Sequence, residues 1–246
     1  MEQTKYLSFT QDAFLKRFFT SNKQVLTSLL REYFSITDKV LDVIVVDTGR
    51  EKTFARFRQT SNPEDLPDIN RVVLDLLVKL SSGKKIGIQL QVAINEEKNF
   101  RDHMITDWTF LHCYDQNIWA EASNIHPTYS LIFAHFTVFE ETQDYISELA
   151  LKHSTHPEKD YISTITLRLC KYPAHGIDAG LRMVAVELNK FNKSCSELIN
   201  MQDRWNYILK HSADLTTEQV AHLSQDEETK MVLEHLEEIS KDGSVD

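Results

Sequence analysis

Asp75, Gln89 and Gln91 lie on two β-rich runs, Val72–Leu80 and Lys84–Val92, separated by Ser81-Ser82-Gly83. A three-residue loop with Gly in the left-handed position closes a hairpin as a type I turn followed by a bulge. That loop sets Leu80 opposite Lys84, Val78 opposite Ile86, Leu76 opposite Ile88 and Leu74 opposite Leu90. The last three are apolar pairs on one face, which is what a strand register with a buried side requires. The same register puts Asp75 directly across from Gln89 on the other face, with Gln91 two residues further along. Three side chains bearing oxygen atoms thus converge, and hard divalent cations take oxygen in preference to nitrogen or sulfur. Taken singly, each reads as an ordinary strand residue facing solvent.

The elements around this hairpin follow from apolar spacing. Ser8 to Gln11 has the form of a capping box. Beyond it Phe14, Phe18, Val25, Leu29 and Tyr33, widened by Leu15, Phe19, Leu26 and Leu30, form one helical stripe. Val43–Val46 is a short β-branched strand. Residues 48–70 are polar, contain Pro63 and Pro67, and are expected to form an exposed loop. Phe100–Trp119 reads as an aromatic-rich helix, and Tyr129–Phe139 as a buried strand. Residues 145–170 hold two weaker strands around a polar loop at 153–160, and Leu181–Leu188 is a further strand. Helices are expected at about 193–211 and 216–240, the second acidic. There is no internal repeat.

Composition bounds the class. In 246 residues, 41% are hydrophobic and 26% charged, with only 6 Gly and 5 Pro. That describes a globular chain without long flexible linkers. No apolar run approaches the roughly 20 residues needed to cross a bilayer, and Met1–Lys5 opens without an apolar signal core, so a cytoplasmic protein is expected. Cys113, Cys170 and Cys195 are odd in number and far apart, which suits reduced packing residues rather than a disulfide framework or zinc site. The net charge is −10, but residues 214–246 carry ten acids and two bases, leaving 27 acids against 25 bases before them. A nearly neutral body does not exclude a nucleic-acid partner.

Several motifs occur in an order that resembles the recombination-promoting nuclease and putative transposase family of the PD-(D/E)XK superfamily. Asp12-Ala13-Phe14-Leu15-Lys16-Arg17-Phe18-Phe19 is similar to the family's opening Asp-x-x-Phe-Lys-x-x-Phe, with Leu15 in the usual Phe place. Leu74-Asp75-Leu76 and Ile88-Gln89-Leu90-Gln91 resemble its Asp strand and its Glu-x-Gln strand. Phe100-Arg101 resembles its Phe-x-x-Arg helix start, and Tyr114-Asp115-Gln116 more loosely its Tyr-x-x-Gln region. Val186-Glu187-Leu188-Asn189-Lys190-Phe191 resembles its Glu-Leu-Pro-Lys-Phe segment, and Asp203-Arg204-Trp205 its Asp-Arg-Trp. Order and spacing are kept from about residue 8 to 210.

The resemblance implies an αβα core with a mixed central sheet and C-terminal helices over residues 1–212, followed by an acidic helical tail at 213–246. It also implies Mg²⁺-dependent cleavage of DNA tied to transposon-like elements. Asp75 and Gln89 would then be the metal residues, with Gln91 polarising the attacking water. Arg101 and Lys79 are candidate phosphate or supporting contacts, and Asp12 or Glu32 candidate helix acids. Gln89 stands where the family carries Glu. An amide oxygen can touch a metal but is neutral, so impaired cleavage is expected, and Glu96 or Glu97 could supply a migrated acid. The alternative is an inactive DNA-binding or protein-interaction module. A homo-oligomer is compatible with either. Other conspicuous residues have plainer readings: His153 and His156 sit in a polar loop, Lys190 ends a strand, and Trp108, Phe110, Tyr114 and Trp119 are core.

Overall fold

The computed structural model describes residues 6–9, 11–45, 71–93, 100–101, 104–105, 127–155, 163–170 and 181–242. The N-terminal apolar stripe forms two helices rather than one, α1 (Asp12–Ser21) and α2 (Lys23–Phe34). The break is Asn22, whose backbone is extended and whose Oδ1 accepts hydrogen bonds from the Gln24 and Val25 amides at 3.0 and 3.3 Å. A side chain that satisfies the free amides of the next turn makes a new helix start cheaper than an unbroken helix. The expected box at Ser8 is replaced by a turn in which the Gln11 amide donates to the Ser8 carbonyl, and α1 begins only at Asp12. Ser35, in the left-handed region at φ 56°, closes α2, with the Ser35 and Ile36 amides donating back to Arg31 and Leu30.

Among the described residues, seven strands form one mixed sheet. They are β1 (Val40–Val45), β2 (Arg71–Leu80), β3 (Lys85–Ala93), β4 (Thr128–Ala134), β5 (Ile146–Thr155), β6 (Ser163–Cys170) and β7 (Leu181–Glu187). Their order across the sheet is β1-β2-β3-β4-β7-β5-β6. β1, β2 and β3 are antiparallel neighbours, β3, β4 and β7 run parallel, and β7, β5 and β6 are antiparallel again. A parallel step from β3 to β4 demands a long crossover, and within it Phe100, Arg101, Met104 and Ile105 are helical.

Helices cover both faces. On one, Leu74, Leu76 and Val78 of β2, Ile86, Ile88 and Leu90 of β3, Leu131 and Phe133 of β4 and Val184 and Val186 of β7 pack against α1 and α2. Helices α3 (Met201–His211), α4 (Thr217–Leu223) and α5 (Glu227–Asp242) join the same cluster. Trp205 is wholly buried there, stacked on Phe19, with its Nε1 donating to Ser28 Oγ at 3.0 Å. On the other face Phe100 and Met104 pack on Ala93, Ile132, Ala134, Met183 and Ala185.

Two expected boundaries move for local reasons. β4 stops at Ala134 instead of reaching Phe139, because Val138 and Phe139 give their amides to the buried Glu187 carboxylate at 2.6 and 3.1 Å. The acidic C-terminal helix divides into α4 and α5 at Asp226, whose carboxylate caps the second helix through the Thr229 amide and hydroxyl. One side of α5, with Val232, Leu233, Leu236 and Ile239, is core. The Leu7 amide donates to Ser240 Oγ at 3.0 Å, tying the two ends of the described chain together.

Candidate functional site

The hairpin adopts the register read from its turn. Gly83 has φ 83°, its amide donates to the Leu80 carbonyl at 2.9 Å, and the Leu80 amide donates to Lys84. Asp75 pairs with Gln89, Leu74 with Leu90, Leu76 with Ile88 and Val78 with Ile86. The three apolar pairs face α1 and α2, and Asp75, Gln89 and Gln91 occupy the opposite face.

That opposite face is not open strand surface. Asp75 is 6% exposed, and Gln89 and Gln91 not at all. Gln89 Nε2 donates to Asp75 Oδ1 at 3.3 Å. Gln89 Oε1 accepts two hydrogen bonds, from Gln91 Nε2 at 2.5 Å and from Ser130 Oγ at 3.0 Å. Ser130 arrives through the parallel register of β3 with β4, which sets it beside Gln89. Gln91 Oε1 is buried with no partner among the described residues. An orphan acceptor at full burial costs about 1–3 kcal/mol unless a ligand or water supplies a donor or a positive charge.

In kind, these donors suit a hard cation: one carboxylate, two carboxamide oxygens and a hydroxyl. In charge they fall short, with Asp75 the only ionisable group of the four. In orientation the edge that Gln89 turns to Asp75 is its N–H donor, which fills the position a cation would take between the two. Among the described residues no cluster of three or more His, Cys, Asp or Glu is present.

The remaining candidates are spread out. Lys79 is exposed, across β2–β3 from the equally exposed Lys85 and across β1–β2 from Asp42. Arg101 is held beside the β4–β5 connection, its Nε donating to the Val138 carbonyl at 2.7 Å and its two terminal nitrogens to Glu141 at 3.0 Å. The guanidinium also lies over the Phe139 ring. The hydrogen bonds to Glu141 raise the Arg101 pKa and lower that of Glu141. Asp12 begins α1, and α1 packs on the face of β2 away from Asp75. Glu32 accepts from Arg31 Nε at 3.0 Å. Glu96, Glu97, Trp108, Phe110, Tyr114, Asp115, Gln116, Trp119 and His156 lie outside the described residues.

Two further motif segments hold the frame. Lys190 Nζ donates to the Phe139 and Thr142 carbonyls and pairs with Glu187 at 3.0 Å, which pins the chain leaving β4 onto the end of β7. Asp203 takes both of its oxygens to Lys193 Nζ at 2.7 Å, and also receives the Ile199 amide and the Tyr145 hydroxyl. Burial alone would raise the Asp203 pKa, but the Lys193 ammonium and these donors hold it below the usual carboxylate value. Ser130 is the site residue that the sequence reading passed over. Its signal was weak, a single small polar residue inside the apolar run Tyr129–Ala134.

No curated protein and no solved structure matches the chain. A family model does, and its match runs almost end to end: the PD-(D/E)XK nuclease family transposases, over residues 10–244. With a mixed sheet, helices on both faces and Asp75 paired with Gln89 on its second and third strands, the chain belongs to the PD-(D/E)XK nuclease family transposases.

Proposed function

We propose that this protein acts on DNA through the face of the β2–β3 hairpin that carries Asp75, and that Gln89 impairs its phosphodiester cleavage. The observation that carries this reading is the Gln89 Nε2 hydrogen bond to Asp75 Oδ1. It places a neutral donor where hydrolysis needs a second anionic ligand. PD-(D/E)XK nucleases generally use a divalent metal. When bound, such a metal polarises the scissile phosphate and lowers the pKa of water.

The residues of this chain then divide the work. Asp75 supplies the charge that holds the cation side of the site. Gln91, with an acceptor oxygen left over, orients a water by accepting its hydrogen bond. Neither glutamine can take up a proton, so proton removal falls to Asp75 or to solvent. A missing positioned base typically costs 10²–10⁴ in rate. Lys79 and Lys85 face each other on the same side of the hairpin as Asp75. Like charges directly opposite are destabilising in a sheet, and a DNA phosphate between them removes that penalty.

The test is a plasmid-nicking assay across a Mg²⁺ titration, run beside a DNA-retention assay. The expected result is DNA retention with weak nicking that disappears in Asp75→Ala. Retention without any nicking identifies a non-cleaving DNA-binding module, the reading that the same hydrogen bond favours as runner-up. Failure to retain DNA under any salt condition sinks both.

A further inference from the structure

The two glutamines of the site are wired so that reversing one reverses the other. Gln89 Oε1 takes hydrogen bonds from Gln91 Nε2 and Ser130 Oγ, while Gln89 Nε2 faces Asp75 Oδ1 at 3.3 Å. Gln91 Oε1 has no partner among the described residues. The nitrogen and oxygen of a carboxamide are nearly the same size, so a half-turn about the last side-chain bond exchanges their roles in place.

We propose that a divalent cation binds between Asp75 and Gln89 by reversing the carboxamides of Gln89 and Gln91 together. The proposal rests on the reading of Asp75 and Gln89 as the cation side of the site. In the reversed state Gln89 Nε2 has two hydrogens for two acceptors, Gln91 Oε1 and Ser130 Oγ, since a hydroxyl accepts as readily as it donates. The orphan acceptor on Gln91 is then satisfied, and its amino group takes the unpartnered place. The number of unpartnered glutamine groups is therefore the same in both states. What changes is the edge facing Asp75, where Gln89 Oε1 replaces Nε2.

Two oxygens at that position repel each other until a cation lies between them. Neighbouring ligands of one octahedral ion stand about 2.9 Å apart for Mg²⁺ and about 3.4 Å apart for Ca²⁺, from their usual metal–oxygen distances. The observed 3.3 Å separation lies within that span. Binding gives up one charge-assisted hydrogen bond, which weakens cation affinity about ten- to hundredfold relative to a site already reversed. Ser130 is the pivot, because its hydroxyl serves either state.

The test follows the side-chain amide signals of the full chain, labelled with ¹⁵N-glutamine, while Mg²⁺ or Ca²⁺ is added without DNA. Spectra of Gln89→Met and Gln91→Met assign the two signals. The expected result is that both move along one saturation curve. A second variant, Gln91→Glu, presents only acceptors to Gln89, so the Gln89 amide should start near the position it reaches in the cation-saturated wild type. Signals that stay still to tens of millimolar cation, or Gln89 moving alone, overturn the proposal. So does a Gln91→Glu protein whose Gln89 signal starts at the cation-free wild-type position. Because DNA is absent, the result stands apart from retention and nicking, and either reading can fail without the other.

Discussion

A neutral amide at position 89 has opposite consequences for stability and for metal binding. Its Nε2 relieves the buried Asp75 charge through a hydrogen bond, and such bonds to charged groups contribute roughly 1.5–3 kcal/mol. Gln89→Glu removes that donor and sets a second carboxylate about 5 Å from the first across the hairpin. Without divalent metal the variant should melt roughly 5 °C lower than wild type, given about 2–4 °C per kcal/mol for a chain of this size. Millimolar Mg²⁺ should restore most of that loss, because an ion bound only by the folded state stabilises it. The wild type should respond much less. Melting curves of both proteins, with and without Mg²⁺, decide it, and an equal response in the two would remove position 89 from control of the site.

Local chemistry decides where elements begin and turn, and two positions make this measurable. Gly83 has φ 83°, and an added Cβ would meet nothing within 4 Å. Gly83→Ala should therefore cost only the left-handed backbone penalty, about 1–2 kcal/mol, seen as a lower denaturation midpoint with unchanged slope. Asn22 starts α2 with its side chain on the Gln24 and Val25 amides. Asn22→Ala should cost about 1 kcal/mol through the lost cap. A neutral outcome would mean that tertiary packing, not the cap, sets the break between α1 and α2.

Over the whole molecule, the ends and motif segments are held by few polar clamps on a large core. Val232, Leu233, Leu236 and Ile239 of α5 belong to the same cluster as Phe18 and Trp205. Removing residues 227–246 should therefore abolish cooperative unfolding rather than trim a neutral tail, as read by calorimetry. The Lys193–Asp203 clamp has a defined pH signature. The folded-state pKa of Asp203 lies below its ordinary value of about 3.9. Its contribution is thus fully present above that pH and disappears as pH falls through the folded-state value. Lys193→Met should be less stable than wild type by roughly 1.5–3 kcal/mol at pH 6–8, and the gap should close below about pH 4. A gap that persisted unchanged in acid would assign the loss to packing by the lysine stem.

The register of the β2–β3 hairpin, and with it the convergence of Asp75, Gln89 and Gln91, was legible in the sequence because it depends on neighbours. Side chains alternate with period two, Gly83 fixes the turn, and three apolar pairs admit one alignment. The single N-terminal helix was misread because an apolar stripe continues across Asn22, and only the backbone shows the restart. What lies beside Gln89 was not legible at all. A parallel pair such as β3–β4 is joined by a long crossover, whose length does not specify register, so Ser130 meets Gln89 only in the folded sheet. The same holds for the direction of the Gln89 amide. It is chosen by Ser130 on one side and Asp75 on the other, groups 55 residues apart in sequence that only tertiary structure brings to one side chain.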